Sequence, residues 1–559
     1  MNTYPSPLEM LYKWEQETPN KIYMRQPIKE VWHDWTWKET ANQVRKMAAY
    51  LKSLNLPHGS RIGILSKNCA HWMFSDLAIM MAGHVSVPLY PNLNAETLKQ
   101  ILEHSETQVL FVGKLDDFES MRPGIPANIQ CIAYPFYTEE GYPIWDDLVQ
   151  DVTPISEDLM RDPEELATII YTSGTTGLPK GVMHKFFNFG FAANNAVKTI
   201  DLDNTEKFFS YLPLCHIAER LLVEMGSLYT GGQVSFAESL DTFTQNLSET
   251  QPTVFLGVPR IWTKFQQGVL AKLPQKKLNF LLSIPVVSSL IKKKIRIGLG
   301  LNGATNVFTG AAPTPTSTIK WFDRLGVKIQ EAYAMTENCC YSHVTLNDNI
   351  KIGCVGRALP FCEVKLSEQN EILIKHDALM LGYYKEEKMT AETIKDGWLY
   401  TGDEGSIDLD GFLKITGRVK DLFKSSKGKY VAPSPIEMKL SANKNIENVC
   451  VVGDGLPQPI ALVVLSEYGK GRSKEDVTAS LAKTLSVVNP KLDHHEKVKR
   501  LVVLQEEWTI ENKLLTPTMK IKRNSVEKMH KKHYEVWYDR TEHVTVSYTH
   551  LTLPTRYRV

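Results

Sequence analysis

Between residues 61 and 112 one pattern repeats. Short apolar runs, Arg61 to Leu65, Val85 to Tyr90 and Val109 to Val112, alternate with stretches of helical spacing, Trp72 to Met81 and Leu98 to His104. Apolar runs of this length read as buried strands, and strands alternating with helices are the signature of an α/β architecture. The same theme opens earlier. Thr36 is placed to cap Trp37-Lys38-Glu39, Val44, Met47, Ala48 and Leu51 recur at helical spacing, and Pro57-His58-Gly59 ends the helix. Gly83 closes the next one. The chain has 559 residues, too many for one compact core, so several domains are expected.

The texture changes after about residue 350. Cys362 to Leu366, Glu371 to Lys375 and Trp398 to Asp403 are β-rich. Beyond Gly417-Arg418-Val419-Lys420-Asp421 lies a smaller unit. Its strands are expected at Val449 to Val452 and Ile460 to Leu465, and its helices near 474–488, 493–500 and 524–536. The expected fold is therefore α/β: a large N-terminal domain of mixed sheets and helices with a β-rich subdomain over 1–419, then a small α+β C-terminal domain over 420–545. The segment from Val546 to Thr555 resembles the translation of a sequencing-library adaptor. Residues 546–559 are read as a non-native tail.

One loop carries most of the chemistry. The run Leu166 to Ile170 leads into Tyr171-Thr172-Ser173-Gly174-Thr175-Thr176-Gly177-Leu178-Pro179-Lys180-Gly181. From Thr172 to Gly181 it holds three glycines, four aliphatic hydroxyls and one lysine. Glycines let backbone N–H groups turn toward an anion, hydroxyls add rotatable donors, and Lys180 adds a point charge. The set suits a polyphosphate; the competing reading is a flexible surface turn. It is not a Walker A loop, because Pro179 stands where the second glycine should be and Gly181 follows the lysine.

Further candidates are spread along the chain. His216 follows a strand at Phe208 to Leu212; such a histidine lines a cleft or makes a structural hydrogen bond. Gly310, Ala311 and Ala312 are small enough for a flat ring to approach the backbone, and Tyr333 offers a face for stacking. Glu337 offers a hard oxygen for magnesium. Asp403 either caps a tight turn or accepts two hydroxyls.

Net charge is +1, which gives no argument for nucleic acid. The eight cysteines include no C-x-x-C pair and read as reduced cytosolic thiols. No apolar run approaches the roughly 20 residues of a membrane span, and the first 19 residues carry no signal-peptide core. Lys272, Lys276, Lys277, Lys292, Lys293, Lys294 and Arg296 flank the apolar block Leu278 to Val287. This block is either a peripheral contact with anionic lipid or a solvated helical pair covering a core. The expected location is the cytoplasm, with any membrane contact at its inner face.

Five motifs in order resemble the adenylate-forming, AMP-binding superfamily. They are the 171–181 loop, Tyr333-Ala334-Met335-Thr336-Glu337, Tyr400-Thr401-Gly402-Asp403, Gly417 to Asp421, and Lys520 in a C-terminal loop. Pro213 to Arg220, Val258-Pro259-Arg260, Lys424 to Pro433 and Leu514 to Thr518 resemble long-chain fatty acyl-CoA synthetases in particular. Ala334 departs from the glycine common in the family.

The resemblance implies two half-reactions: a carboxylate and ATP give acyl-AMP and pyrophosphate, and coenzyme A then takes the acyl group. The implied partners are a fatty acid, ATP, Mg2+ and coenzyme A. Thr172 and Glu337 would hold the metal. Ser173, Gly174, Thr175, Thr176, Gly177 and Lys180 would cradle the β- and γ-phosphates, and Thr336 would contact the α-phosphate. Tyr333 and Gly310 to Ala312 would flank adenine, and Asp403 and Arg418 would bind ribose. Lys520 would bridge carboxylate and α-phosphate, with His216 also lining the catalytic cleft. The C-terminal domain would be mobile, turning about Lys420 to exchange Lys520 for a loop with Lys424, Ser425 and Gly428 that admits coenzyme A. Two alternatives stay open: a ligase loading a carrier protein, and a non-catalytic nucleotide- or lipid-binding remnant.

Overall fold

The structure, a computed structural model, describes residues 4–137, 141–172, 179–516 and 519–546. Two large sheets form the body. The seven-stranded sheet runs, in spatial order, through Gly382–Tyr383, Lys180–Lys185, Leu166–Thr172, Val85–Leu89, Arg61–Leu65, Thr107–Val112 and Gln130–Ala133. Its pairings are parallel from Leu166–Thr172 to Gln130–Ala133 and antiparallel at the other edge. The nine-stranded sheet has a parallel centre that includes Lys207–Ser210, Val254–Leu256, Asn306–Thr309 and Ile329–Tyr333. The alternation read from the sequence is therefore realised as crossover units, whose strands are buried on both faces.

Local chemistry sets the helices. Thr36 accepts from Glu39 N at 3.2 Å while Glu39 Oε2 accepts from Thr36 N at 2.8 Å, a reciprocal cap that starts Trp37–Ser53. Trp37 then stacks on Tyr23 with ring centroids 3.6 Å apart. Helix Ala70–Ala82 is mostly apolar, and every one of its residues is buried, His71, Ser75 and Asp76 included. Gly83 ends it in the left-handed region at φ 92°.

After residue 350 the β-rich segments form a five-stranded sheet. Trp398–Ile407 lies between Glu371–Lys375 and Leu413–Arg418. The C-terminal unit has a four-stranded sheet, Ile446–Val452, Ile460–Leu465, Leu501–Val503 and Val544–Val546, with its own apolar cores on both faces. Val546, placed at the start of the set-aside tail, pairs with Val503. The helix expected at 493–500 does not form. Pro490 follows the end of Lys474–Val488, and the Asn489 side chain clasps Val498, accepting from its N–H and donating to its carbonyl at 2.9 Å each. That clasp holds 490–498 as a turn. No helix among the described residues is long and apolar enough to cross a membrane.

Candidate functional site

The site lies where the ends of strands from three sheets meet the C-terminal unit. Its floor is the β-rich sheet. Asp403 and Arg418 are directly opposed in the antiparallel pair Trp398–Ile407 and Leu413–Arg418, with Arg418 Nε 2.9 Å from Asp403 Oδ1. Tyr333, the last residue of its strand, donates its hydroxyl to Asp403 Oδ2 at 2.8 Å. Burial, then the carboxylate beside it, pushes the Tyr333 phenol well up, so it stays a donor. The Asp403 charge is the main cause that holds the Arg418 guanidinium above its ordinary value. Asp403 is buried while Arg418 is half exposed, so the pair has one open side.

The small-residue loop adjoins this floor. A methyl built on Gly310 would stand 3.3 Å from the Ala332 carbonyl, so glycine keeps the two backbones close. Ala311 holds φ at 65°, a left-handed conformation that costs alanine about 1–2 kcal/mol. Ala311 and Ala312 are both exposed. Ala334 is not among the residues with positive φ, so its backbone makes no demand for glycine.

Glu337 is held by residues that sequence reading did not single out. Tyr383 donates its hydroxyl to Glu337 Oε1 at 2.7 Å. The face of the same ring receives Lys180, whose Nζ lies 5.2 Å from the centroid. Tyr383 thus joins the lysine of the phosphate-type loop to the carboxylate. Behind Thr336, His184 donates Nε2–H to the Thr336 carbonyl at 2.7 Å and accepts from Asn188 at Nδ1 at 3.0 Å. Burial holds the His184 imidazole down to about 4, so it is neutral. Cys339 and Cys340 follow with left-handed φ values of 51° and 53°, a sharp turn after Glu337. No spacing in the sequence links Tyr383 or His184 to Glu337.

Thr172 and Lys180 face each other as the last and first residues of the antiparallel strands Leu166–Thr172 and Lys180–Lys185. Ser173, Gly174, Thr175, Thr176 and Gly177 lie outside the described residues.

His216 caps the short helix Ile217–Glu219, its Nδ1 accepting from Ala218 N at 3.2 Å, which leaves Nε2 as the protonated nitrogen. Burial, reinforced by Lys520, lowers its pKa to about 4. The segment is pinned from below. Fully buried Arg220 holds both oxygens of Asp76 at 2.6 Å and donates to Thr168 Oγ1 at 2.7 Å. Glu219 accepts from Tyr211 N at 2.9 Å and Ser210 Oγ at 3.1 Å, and burial raises its pKa to about 8.

Lys520 stands on a tight turn, with Thr516 N donating to its carbonyl at 2.8 Å and its own N–H donating to Thr516 Oγ1 at 3.0 Å. Lys520 is exposed, and it stands on the C-terminal unit within electrostatic reach of Arg418, Asp403 and Glu337 of the large body. Desolvation there, with Arg418 adding, lowers its ammonium pKa; Asp403 and Glu337 act in the opposite sense. Lys520, Arg418, Asp403, Glu337 and His216 therefore share one electrostatic neighbourhood.

The 424–430 turn is elsewhere. Ser425 Oγ accepts from Lys429 N at 3.2 Å, Gly428 turns at φ 76°, and the Lys424 carbonyl accepts from Gly455. These contacts all fall within the C-terminal unit.

Residues 11–384 match the AMP-binding enzyme family, and residues 420–542 match the AMP-binding enzyme C-terminal domain. The chain belongs to the AMP-binding enzymes. Among curated relatives of this AMP-binding enzyme, long-chain-fatty-acid–CoA ligase ACSBG2 of Xenopus laevis is 29% identical, over 96% of this chain and 84% of the relative. Long-chain-fatty-acid–CoA ligase FadD15 of Mycobacterium tuberculosis is 28% identical, over 92% and 94%. Among solved structures, the adenylation domain of the carboxylate reductase from Mycobacterium chelonae superposes with a TM-score of 0.81 at 21% identity, over 96% of this chain and 91% of that one. The adenylate-forming fold is thus the fold of this AMP-binding enzyme, and the α/β body with its smaller C-terminal unit agrees with the sequence expectation.

Proposed function

We propose that this AMP-binding enzyme activates a long-chain fatty acid with ATP and transfers the acyl group to coenzyme A. The observation that carries the reading is convergence. Tyr333, Glu337, Asp403, Arg418 and Lys520 come from four separated motifs and share one electrostatic neighbourhood. The likeness to long-chain-fatty-acid–CoA ligases over most of both chains supports the acid and the acceptor.

In this reading Asp403 and Arg418 take the ribose hydroxyls, while Tyr333 and the Gly310 to Ala312 loop take adenine. The 172–180 segment cradles the β- and γ-phosphates, and Thr336 meets the α-phosphate. Lys520 carries the positive charge needed where two anions, the carboxylate and the α-phosphate, must meet. His216 lines the acyl side, its neutral imidazole oriented by the bond that Nδ1 accepts from Ala218 N.

Magnesium fits the donors present. No cluster of three His, Cys, Asp or Glu side chains that could hold a metal exists among the described residues. Magnesium in nucleotide sites is held by one or two protein oxygens plus substrate phosphates and water, which matches Glu337 and Thr172. When bound, the ion neutralises charge on the phosphates.

The second half-reaction needs a different constellation. The small domain, 420–545, turns about Lys420, withdraws Lys520 and presents Lys424, Ser425 and Gly428 to the thiol substrate. The protein works in the cytoplasm.

The test is pyrophosphate release with ATP, magnesium and carboxylates from acetate to palmitate plus an aromatic acid, with and without coenzyme A. The expected result is a maximum at long chains with thioester formed only when coenzyme A is present. Pyrophosphate release without consumption of coenzyme A would favour the carrier-loading alternative. ATP binding without turnover on any acid would favour the remnant.

A further inference from the structure

The helical hairpin Gln275–Ser283 and Pro285–Gly298 is anchored by its inner face only. Leu278 is buried, Gln275 accepts from Trp321 Nε1 at 3.0 Å, Asn279 accepts from Arg324 at 2.9 Å, and Arg296 donates to the Leu325 carbonyl at 3.0 Å. The outer face is unusual for a water-exposed surface. Helix Pro285–Gly298 has no buried residue at all, although six of its residues are Val, Leu or Ile. Val286 is 75% exposed, Phe280 and Leu290 are 65% exposed, Ile297 is 44% exposed, and Ile284 at the tip is 37% exposed. Val286, Leu290, Lys293 and Ile297 follow i, i+4, i+7, i+11 spacing, so they share one stripe; Lys276 and Phe280, at i and i+4 on the other helix, lead toward Ile284 just past its end. Contiguous apolar exposure rimmed by polar residues marks a docking surface.

Charge says what docks. From Thr250 to Phe322 the sequence contains no Asp or Glu, while it contains Arg260, Lys264, Lys272, Lys276, Lys277, Lys292, Lys293, Lys294, Arg296 and Lys320. The whole chain is nearly neutral at +1, so this is a local concentration. Of these ten cations only Arg260 makes an ion pair among the described residues. Lysines lie about two turns behind the apolar tip on both helices. A shallow cavity of about 350 Å³, lined by Asn279, Leu282, Ser283, Lys292 and Arg324, opens between them and has room for an anionic headgroup.

We infer that this hairpin is the surface by which the enzyme docks on an anionic lipid bilayer, with its tip in the acyl region and its lysines at the phosphates. Apolar burial and attraction to anionic headgroups act together at such a surface. The advantage, access to a carboxylic acid carried in the bilayer, rests on the function proposed above; the docking itself does not.

The test is co-sedimentation of the full chain with vesicles of phosphatidylcholine alone or with about a third phosphatidylglycerol, at low and high salt. Binding is expected only to the anionic vesicles and is expected to weaken with salt. Lys276→Glu with Lys293→Glu, and separately Phe280→Ser with Leu290→Ser, are each expected to lower vesicle partition about tenfold or more. Pyrophosphate release on octanoate dissolved in buffer should stay within about twofold in both variants. No binding by the parent chain, or binding that neither variant changes, overturns the inference. So does sedimentation velocity showing that the serine variant converts a dimer into a monomer, because the face then belongs to a second copy. Loss of catalysis with vesicle binding intact counts against the proposed function alone.

Discussion

Asp403 and Arg418 are directly opposed across one antiparallel strand pair, and Tyr333 occupies the carboxylate oxygen that Arg418 leaves free. The carboxylate is thus fixed from two sides before any ligand arrives. Asp403→Asn keeps the shape and removes the charge. A hydrogen bond to a charged group contributes about 1.5–3 kcal/mol, so ATP affinity by calorimetry should weaken roughly tenfold to a hundredfold. Unchanged affinity would remove Asp403 from the nucleotide site.

Lys520→Ala should slow acyl-AMP formation by about 10²–10³ or more, the scale for losing one preorganised transition-state group. Thioester formation from supplied acyl-AMP should be spared. Equal loss in both half-reactions would contradict the role given to Lys520.

Lys420→Pro should leave pyrophosphate release nearly intact while blocking thioester formation, because proline fixes φ at the pivot. The measurement is single-turnover analysis of each step. A normal second step would refute the pivot.

Tyr383→Phe removes the hydroxyl on Glu337 but keeps the ring beneath Lys180. Partners that orient a metal ligand typically matter by about 10–100-fold. The magnesium concentration giving half-maximal rate should rise by that order, with nucleotide affinity little altered. If both quantities stay at the parent values, Glu337 does not depend on Tyr383.

Glu219 is raised from its ordinary value near 4.5 to about 8 by burial. A folded-state value above the unfolded one contributes stability that is complete below pH 4.5 and is lost as pH rises through 8. Between those limits stability falls by about 1.4 kcal/mol per pH unit. Glu219→Gln should therefore gain on the parent by that slope as pH rises, whatever its constant offset. Parallel urea-midpoint curves for the two proteins would show that Glu219 is not protonated in the fold.

Periodicity and turn chemistry exposed much of this fold. The strands at 61–65, 85–89 and 107–112, the Thr36 cap and the Gly83 stop were legible because each is a local preference. The helix expected at 493–500 failed because a single side chain, Asn489, satisfies the backbone there instead. The site divides the same way. Motif residues with distinctive chemistry, such as Asp403 and Lys520, stand out in the sequence. Tyr383 meets Glu337, and His184 meets Thr336, across 46 and 152 residues, and no spacing along the chain announces either contact; Arg220 closes a legible motif, but its partners Asp76 and Thr168 lie far off in sequence.

Two exposed ion pairs, Arg260 with Glu447 at 2.5 Å and Lys513 with Glu96 at 3.2 Å, span the cleft between the large body and the C-terminal unit. Exposed pairs of this kind contribute about 0–1 kcal/mol each and are screened by salt. If the small domain turns as proposed, such pairs would act as a light latch: enough to bias it toward the pose that presents Lys520, too weak to trap it there. Ionic strength would then be a dial on the balance between the two half-reactions, separate from any effect on substrate binding.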